Sequence, residues 1–379
     1  MNARLEDYNY FLPPELVAQY PLPERDASRL LILNRAEGTI RHASFLDLPQ
    51  YLDSNDFLVV NDTRVFPARL HGEKASGGKI ELLLHHLPEA APSPNPPPPT
   101  QGNDGGAGLH ARPPRRQARS LPLQTKTALA RATHRGRLRP GQKLIFSEKL
   151  RAEVVSLPQP GVAEVRFFSL NGRDPAQIVL EQGEVPLPPY IHRSPEASDQ
   201  ERYQTVYASR PGAIACPTAG LHFTEAVMAD LARKGVESVA VTLHVGPGTF
   251  MPVREEDYTR HHLEPEYFEL SAPAAQRLNE AKSNGQRLTA VGTTSVRVLE
   301  YCAGPGGFTA RSGWCDLFIH PGYTFKAVDR LLTNFHLPKS TLLLLVSAFA
   351  GRDLIMKAYA EAVKEKYRFY SYGDCMLIL

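Results

Sequence analysis

The stretch RLTAVGTTSVRVLEYC, residues 287 to 302, decides the fold class of this chain. Its first part, RLTAVG (287–292), is short and apolar like a buried strand, and the polar turn TTS leads into a helix over residues 294–302. The same region contains predicted helices at 224–234 and 272–284, strands at 238–246, 314–320 and 330–336, and two helices within 340–366. Because strands and helices alternate after residue 213, the sequence predicts an α/β sheet domain.

A smaller β domain is predicted inside this α/β domain. Its expected strands lie within GGKIELLLHHL (77–87), QKLIF (142–146), LRAEVVSL (150–157) and VAEVRFFSL (162–170). Short strands separated by turns such as PQPG are typical of a small antiparallel barrel. Before it come a predicted hairpin, RLLILNR and GTIRHASF (29–35 and 38–45), and the strand DFLVVNDTRV (56–65). The sequence therefore predicts an α/β domain of residues 1–66 and 179–379, into which a β-barrel-like domain of residues 67–178 is inserted.

The inserted domain contains a segment of different composition, at about residues 88–125. It begins PEAAPSPNPPPP and offers almost no apolar side chains to offset the entropy of ordering, so we expect a disordered or polyproline-II loop. Between Gly105 and Ser147 there are ten Lys or Arg residues and no Asp or Glu, and the rest of the chain has 33 bases against 40 acids. A basic stretch on an acidic chain is typical of a polyanion binder, although a solvated charge run is an equally open interpretation.

Cysteine content and apolar segments indicate the cellular compartment of the protein. The four cysteines, Cys216, Cys302, Cys315 and Cys375, form no C-x-x-C pair, which argues against a disulfide framework and a zinc ribbon. The N-terminal MNARLEDYNYF carries charges where a signal peptide needs an apolar run. The longest apolar run, 342–350, is much shorter than a membrane span. These features predict a cytoplasmic protein without a membrane segment.

Polar clusters follow or precede many of the predicted strands. They are Asn61 to Arg64, Cys216 to His222, His244 to Gly248, Thr293 to Ser295, and Thr333 to His336. One such cluster alone is more often a cap or a turn, but parallel sheets bind ligands beyond the carboxyl ends of their strands. Five clusters therefore predict a single large polar pocket. The segment His261 to Glu266 contains side chains that could ligate a metal, but it lacks helical H-E-x-x-H geometry. No metal site is therefore predicted.

Several of these motifs together resemble one family. They include RDASRLLIL, LVVNDTRVFPARL, DQERYQTVYA, ACPTAGLHFT, TLHVGPGTFMPVR, AVGTTSVRVLE, LLTNFHLPKSTLLLLVSAFAG and YRFYSYGDCMLI. The chain closely resembles the S-adenosylmethionine:tRNA ribosyltransferase-isomerases of queuosine biosynthesis over nearly all of its length except about residues 88–130. It departs from the family pattern at HHLEPEYFEL (261–270), since Glu264 stands where many members have a histidine.

The resemblance implies a β-barrel-like domain inserted into an α/β domain, and it implies a reaction. The ribosyl group of S-adenosylmethionine is transferred to 7-aminomethyl-7-deazaguanine at the tRNA wobble position and isomerised to an epoxy-cyclopentane, while adenine and methionine leave. The partners are therefore S-adenosylmethionine, as a co-substrate with no permanently bound cofactor, and the anticodon region of tRNA. We expect a monomer. The alternative is a non-catalytic RNA-binding protein with a degenerate pocket.

This chemistry needs a base at the 5′ carbon beside the sulfonium and an acid for the departing adenine. The candidates for these proton transfers are His222, His244 and His336, and His222 is the first choice. The predicted substrate-binding residues are Asp62, Thr63, Arg64, Thr218, Gly220, Thr293, Thr294, Asn334, Tyr372 and Asp374. The predicted tRNA contacts are Arg112, Arg115, Arg116, Arg131 and Arg135. Tyr370 is a further candidate for facing the sulfonium, together with Tyr372.

Overall fold

A computed structural model describes residues 3–90, 126–250 and 253–379 of the chain. It divides into two compact units, one formed by Met1–Pro67 and Glu184–Leu379 and the other by Ala68–Gly183. In chain order the strands are β1 (Arg29–Asn34), β2 (Thr39–Ser44), β3 (Asp56–Asn61), β4 (Thr63–Val65), β5 (Arg69–Lys74), β6 (Lys79–Leu84), β7 (Glu89–Ala90), β8 (Thr127–Arg135), β9 (Lys143–Ile145), β10 (Leu150–Gln159), β11 (Val162–Ser169), β12 (Arg210–Ala213), β13 (Glu237–Leu243), β14 (Glu266–Leu270), β15 (Arg287–Val291), β16 (Ala303–Gly304), β17 (Gly307–Phe308), β18 (Arg311–Cys315), β19 (Arg330–Asn334) and β20 (Cys375–Ile378). The α-helices are α1 (Leu48–Tyr51), α2 (Pro175–Gln182), α3 (Asp199–Arg202), α4 (Glu225–Arg233), α5 (Ala272–Ser283), α6 (Gly292–Cys302), α7 (Thr341–Ala350) and α8 (Arg352–Lys364).

The larger unit is built on a nine-stranded sheet with the order β18-β14-β13-β3-β15-β19-β20-β1-β2. Four neighbouring strands, β13, β3, β15 and β19, run parallel, so their carboxyl ends lie at one edge of the sheet. β20 is antiparallel to β19 and parallel to β1. The outer strands β14, β18 and β2 are antiparallel to their neighbours. This mixed sheet with helices confirms the predicted α/β fold.

Both faces of the sheet are covered, which explains the nearly continuous apolar sequence of the central strands. Leu31 and Leu33 of β1 belong to a core cluster that contains side chains of α5 to α8. Leu30 and Ile32, which point to the other face, belong to a second cluster with α1 and α4. Alternate residues of one strand therefore enter two separate cores.

Local caps set the helix starts in this unit. The Thr224 hydroxyl accepts a hydrogen bond from the Val227 amide at the start of α4, and Ser271 and Ser340 cap α5 and α7 in the same way. In the part of the chain that the structure describes, no helix combines the length and the apolar character needed to cross a bilayer.

The smaller unit is a closed antiparallel barrel. Strands β5, β6, β8, β11, β10 and β9 pair in that cyclic order, and the pairing of β11 with β8 and of β9 with β5 closes the ring. Buried and exposed residues alternate along β6 and over most of β8, as expected when one face of each strand fills the barrel. The predicted barrel-like architecture is confirmed.

The bounds of three predicted segments differ in the structure. The boundary placed after residue 178 falls within α2, which packs against β11 and β8, and the structure places the division after Gly183. Residues 89–90, inside the predicted insertion, form β7, which pairs with β8, while residues 91–125 lie outside the described residues. The strand predicted at 314–320 is instead β18, which ends at Cys315.

Candidate active site

A cavity lies at the carboxyl edge of the parallel strands of the larger unit. Six polar residues of its lining belong to the polar clusters identified in the sequence. Five of these six lie directly after β15 or around the end of β19. The six are Thr218, Thr293, Thr294, Thr333, Asn334 and His336. Tyr190, Tyr370, Glu266 and Arg297 also line this cavity. Strand ends in parallel α/β sheets are the usual place for ligands.

The turn between β15 and α6 forms one wall. Gly292 begins α6 with a φ of 84°, a backbone conformation that residues other than glycine rarely adopt. A Cβ added at this position would contact Ala219 and Thr294. Thr293 and Thr294 follow in the first turn of α6, where backbone N–H groups have no partner within the helix. The sharp turn therefore brings the helix N-terminus to the cavity.

Asn61, at the end of β3, ties three neighbouring elements together. Its Nδ2 donates to the Leu243 carbonyl at 3.0 Å and to the Thr294 hydroxyl at 3.1 Å. Its Oδ1 accepts from the Leu243 amide and from the Thr63 amide, each at 3.1 Å. This buried side chain fixes the ends of β3 and β13 relative to the start of α6.

His336 is buried in the cavity wall, two residues after β19. Its Nε2 lies 2.9 Å from the Thr333 hydroxyl, and its backbone is held by the Tyr359 hydroxyl, 2.9 Å from the amide, and by the Tyr10 hydroxyl, which donates to the carbonyl. Burial lowers the pKa of His336 to about 3. The imidazole is therefore neutral at neutral pH.

His222 lies behind the cavity wall, in a cleft bordered by Arg25, Ser28 and Tyr372. It ends the short 3₁₀ helix Thr218–His222, and its ring packs against Phe45 with centroids 5.3 Å apart. Burial lowers the pKa of His222 to about 4. The structure therefore separates His222 from His336, which the sequence had grouped.

His244 lies at a third place, beyond β13. Its Nδ1 is 2.7 Å from the Thr63 hydroxyl, and its ring stacks on Tyr267 with centroids 5.6 Å apart. Burial lowers the pKa of His244. Asp62 accepts hydrogen bonds from Thr242, at 2.6 Å, and from Ser209, at 2.9 Å.

None of these residues lines the cavity of His336, and the neighbouring Arg64 is exposed. Residues of four of the five strand-end clusters nevertheless line one cavity, and Asn61 of the fifth cluster bonds to Thr294 in its wall.

The remaining predicted ligand-binding residues have internal partners. Tyr372 donates to Asp199 at 2.8 Å, and Asp374 accepts from the backbone amides of Arg29 and Arg368. Burial raises the pKa of Asp374. At Gly220 an added Cβ would collide with the hydroxyl of Tyr207. These residues hold the chain around the cavity and do not line it.

Arg297, Glu266 and Tyr190 line the cavity and were not among the predicted site residues, whereas Tyr370 was a candidate. Arg297 of α6 and Glu266 of β14 form a buried ion pair, and Glu266 also accepts from the Gly246 amide at 2.8 Å. The rings of Tyr190 and Tyr370 lie 4.7 Å apart. An arginine within the otherwise apolar helix sequence SVRVL was the available sign of the ion pair.

Two side chains of the segment His261 to Glu266, which was weighed as a metal site, have partners within the protein. His261 is 3.0 Å from Glu255, and Glu266 is paired with Arg297. The described ranges contain no group of three or more His, Cys, Asp or Glu side chains arranged for a metal ion. Glu264 is exposed and lies beside Gly248.

Of the predicted tRNA contacts, only two fall within the described residues. Arg131 and Arg135 are exposed on β8 of the barrel, and Arg135 lies 3.8 Å from Glu81. Arg112, Arg115 and Arg116 lie outside the described residues.

Comparison with known proteins gives the family. The model of a family described as queuosine biosynthesis protein matches residues 5–378, which is almost the whole chain. The chain belongs to this queuosine biosynthesis family. The match includes both the larger unit with its cavity and the barrel.

Relatives in this family match over their full length. The S-adenosylmethionine:tRNA ribosyltransferase-isomerase of Pelobacter propionicus is 45% identical over 99% of this chain and 99% of that protein. The protein of the same name from Symbiobacterium thermophilum is 47% identical over 99% of this chain and all of that protein. A crystal structure of S-adenosylmethionine tRNA ribosyltransferase from Thermotoga maritima is similar with a TM-score of 0.52, 33% identity and coverage of 98% of this chain and 100% of that one.

Proposed function

We propose that this queuosine family member transfers the ribosyl group of S-adenosylmethionine to 7-aminomethyl-7-deazaguanine at the tRNA wobble position and isomerises it to the epoxy-cyclopentane of epoxyqueuosine. Adenine and methionine are released, and S-adenosylmethionine is a co-substrate, with no permanently bound cofactor. The family match over residues 5–378 supports this function. The observation that carries the proposal is the cavity at the carboxyl edge of the sheet, where a buried, neutral histidine meets polar and aromatic side chains.

His336 is the proposed proton acceptor. The sulfonium of S-adenosylmethionine acidifies the adjacent 5′ carbon, and removing a proton there needs a neutral base within reach. Because burial lowers the pKa of His336 to about 3, its imidazole is unprotonated before the reaction. The same burial makes the imidazolium a strong acid once formed, so it can pass its proton to the departing adenine. The Thr333 hydroxyl, 2.9 Å from Nε2, fixes the ring during both transfers.

Other lining groups match the remaining parts of S-adenosylmethionine. The rings of Tyr190 and Tyr370 offer π faces to the sulfonium, an attraction of about 0.5–2 kcal/mol. The N-terminus of α6, with Thr293 and Thr294, suits the carboxylate of the methionine moiety, since unpaired amides and the helix dipole favour an anion. Thr218 completes this polar wall.

The RNA is proposed to contact the barrel through its basic residues. Arg131 and Arg135 are exposed on β8, and the sequence adds Arg112, Arg115 and Arg116. Arginine side chains that contact phosphates supply most of the non-specific affinity for RNA. We further propose that the protein acts as a cytoplasmic monomer on the anticodon region.

Adenine release tests the function directly. Purified protein is incubated with S-adenosylmethionine and tRNA that carries 7-aminomethyl-7-deazaguanine at the wobble position, and free adenine is measured by liquid chromatography. The matched control is the same tRNA with guanine there, which lacks the aminomethyl nucleophile. We expect adenine only with the modified tRNA. Binding of both tRNAs without adenine release would instead favour the non-catalytic RNA-binding alternative.

A further inference from the structure

Three polar side chains form a connected line from the cleft to the cavity. Ser28, just before β1, places its Oγ 2.7 Å from Nδ1 of His222. On the other side of that ring, Nε2 of His222 lies 3.4 Å from Nδ2 of Asn334. All three residues are buried, and Asn334 lines the cavity that also contains His336. Ser28 and His222 border the cleft behind it.

The backbone of Tyr370 determines which way the Asn334 amide points. One amide atom of Asn334 lies 2.9 Å from the Tyr370 carbonyl and is the same atom that faces His222. A carbonyl can only accept hydrogen bonds, so this atom must be the Nδ2 nitrogen. The two protons of that nitrogen are thereby directed to two partners, one to Tyr370 and the other to His222.

This orientation also fixes the tautomer of His222. Because Asn334 donates to Nε2, that ring nitrogen must be unprotonated, and the single proton of the neutral ring sits on Nδ1. Nδ1 then donates to the Ser28 hydroxyl. Both ring nitrogens are committed to hydrogen bonds, and His222 does not line the cavity, so it has neither a free nitrogen nor a path to a reacting atom there.

The amide oxygen of Asn334, Oδ1, is the polar atom of this side chain that can still bind a ligand. Oδ1 of Asn334 is buried and has no hydrogen-bond partner among the described residues. A buried acceptor without a donor destabilises the protein, and the cost is recovered when a ligand supplies an N–H or O–H group. We propose that Ser28 and His222 form a positioning relay that presents Oδ1 of Asn334 to a hydrogen-bond donor of the bound substrate.

The inference rests on the proposed function for the identity of the substrates, and it assigns a role that the reaction scheme does not. The donor is an N–H or O–H group, and both substrates carry such groups. S-adenosylmethionine has ribose hydroxyls, the adenine amine and the α-ammonium, and the RNA base has its aminomethyl group. In this scheme Asn334 binds substrate, and His222 acts only through Asn334.

Calorimetric titration with S-adenosylmethionine alone shows whether the hydrogen-bond donor belongs to S-adenosylmethionine or to the RNA base. If the donor belongs to the co-substrate, Asn334→Ala raises its Kd about tenfold, as expected for one hydrogen bond to a buried group. If the donor is the aminomethyl group, that Kd is unchanged and the KM for modified tRNA rises by a similar factor. Asn279→Ala is the matched control, because Asn279 also donates from Nδ2 to a backbone carbonyl, that of Phe308, but its Oδ1 already accepts from the Phe308 amide and it lies outside the cavity. The proposal is overturned if Asn334→Ala behaves like Asn279→Ala in both titrations.

Substitutions at His222 test the relay. Gln can still accept from Asn334 Nδ2 but cannot transfer a proton at neutral pH, whereas Phe keeps the ring and offers no acceptor. We expect His222→Gln to stay within about threefold of the wild type in kcat and His222→Phe to reproduce the affinity loss of Asn334→Ala. If His222→Gln is as slow as His222→Phe while both bind substrates normally, His222 transfers protons and the relay is wrong.

A double-mutant cycle gives the decisive readout. If His222 acts only through Asn334, adding His222→Phe to Asn334→Ala causes no further loss of substrate affinity. Additive losses would contradict the relay. Circular dichroism identifies variants that fail to fold, and for these Ser28→Ala replaces His222→Phe, since it removes the hydroxyl that accepts from Nδ1 while keeping the imidazole ring. Failure of the wild type to release adenine would refute the proposed function, whereas the titrations with S-adenosylmethionine would still test Asn334.

Discussion

Removal of Arg297 tests how the cavity wall is stabilised. Its guanidinium pairs with Glu266 and donates to the carbonyls of Cys315, at 2.9 Å, and Leu317, at 3.0 Å. The side chains of Arg297 and Glu266 are only 8% and 6% exposed. Arg297→Ala would therefore remove the arginine that neutralises the buried Glu266 carboxylate.

The expected decrease in the free energy of unfolding is large. Removing one partner of a buried ion pair costs about 3–5 kcal/mol, mainly because the other charge stays desolvated. The total stability of a folded protein is about 5–15 kcal/mol, so this single change removes a substantial fraction. With a urea dependence of about 3 kcal/mol per molar, the unfolding midpoint should fall by roughly 1–1.7 M. The Kd for S-adenosylmethionine should also rise, because Glu266 holds the Gly246 amide next to the cavity.

Two variants are the controls in equilibrium unfolding by urea, followed by circular dichroism. Arg277→Ala removes an arginine whose pair with Glu237 is half-exposed, at 41% and 58%, and should cost no more than about 1 kcal/mol. Combining Glu266→Gln with Arg297→Met removes both buried charges and should cost clearly less than Arg297→Ala alone. An Arg297→Ala midpoint no lower than that of Arg277→Ala would refute the reasoning.

Other predictions concern the histidines and the barrel. His336→Ala should lower the rate of adenine release by about 10²-fold with the fold intact, as expected for loss of a general base, and a rate near that of the wild type would remove His336 from the mechanism. Because burial lowers the pKa of His222 to about 4 and that of His336 to about 3, the unfolded chain binds protons below about pH 6.5 that the folded protein does not. The free energy of unfolding should then fall as the pH drops from 6.5 to 4, by up to about 1.4 kcal/mol per pH unit for each histidine, and urea titrations at pH 7 and 5 that gave equal stability would contradict these shifts. Replacing Arg131 and Arg135 by Ala should weaken tRNA binding and reduce the slope of log K against log salt by about 0.7–0.9 for each phosphate group that these arginines neutralise, whereas an unchanged slope would place the RNA elsewhere.

Local signals in the sequence predicted the elements well. Thr224 before α4 and Ser271 before α5 are caps that act within one turn, so they are visible without tertiary information. The strand predicted at 314–320 failed for a tertiary reason. The carbonyls of Cys315 and Leu317 accept from the Arg297 side chain, and β18 ends where these bonds begin.

The site was less predictable than the elements. Which strand ends meet depends on the order of strands in the sheet, and β3 lies between β13 and β15 although it precedes both in the chain by well over a hundred residues. His336 and Thr293 follow adjacent strands, β19 and β15, and share the cavity. His222 follows the short strand β12, which pairs with β4 outside the nine-stranded sheet. Periodicity carries no information about these pairings.

The position of β20 has a consequence for synthesis on the ribosome. Among the described residues of the nine-stranded sheet, β1 pairs only with β2 and β20, so the hairpin of residues 29–44 joins the remaining strands through residues 375–378. About 330 residues must be translated between these segments, which takes roughly 15 to 70 s at about 5–20 residues per second. Throughout that time the apolar edge of β1, LLIL, lacks its permanent neighbour. The nascent chain therefore offers an open strand edge to chaperones, or to other nascent chains, until its last strand emerges.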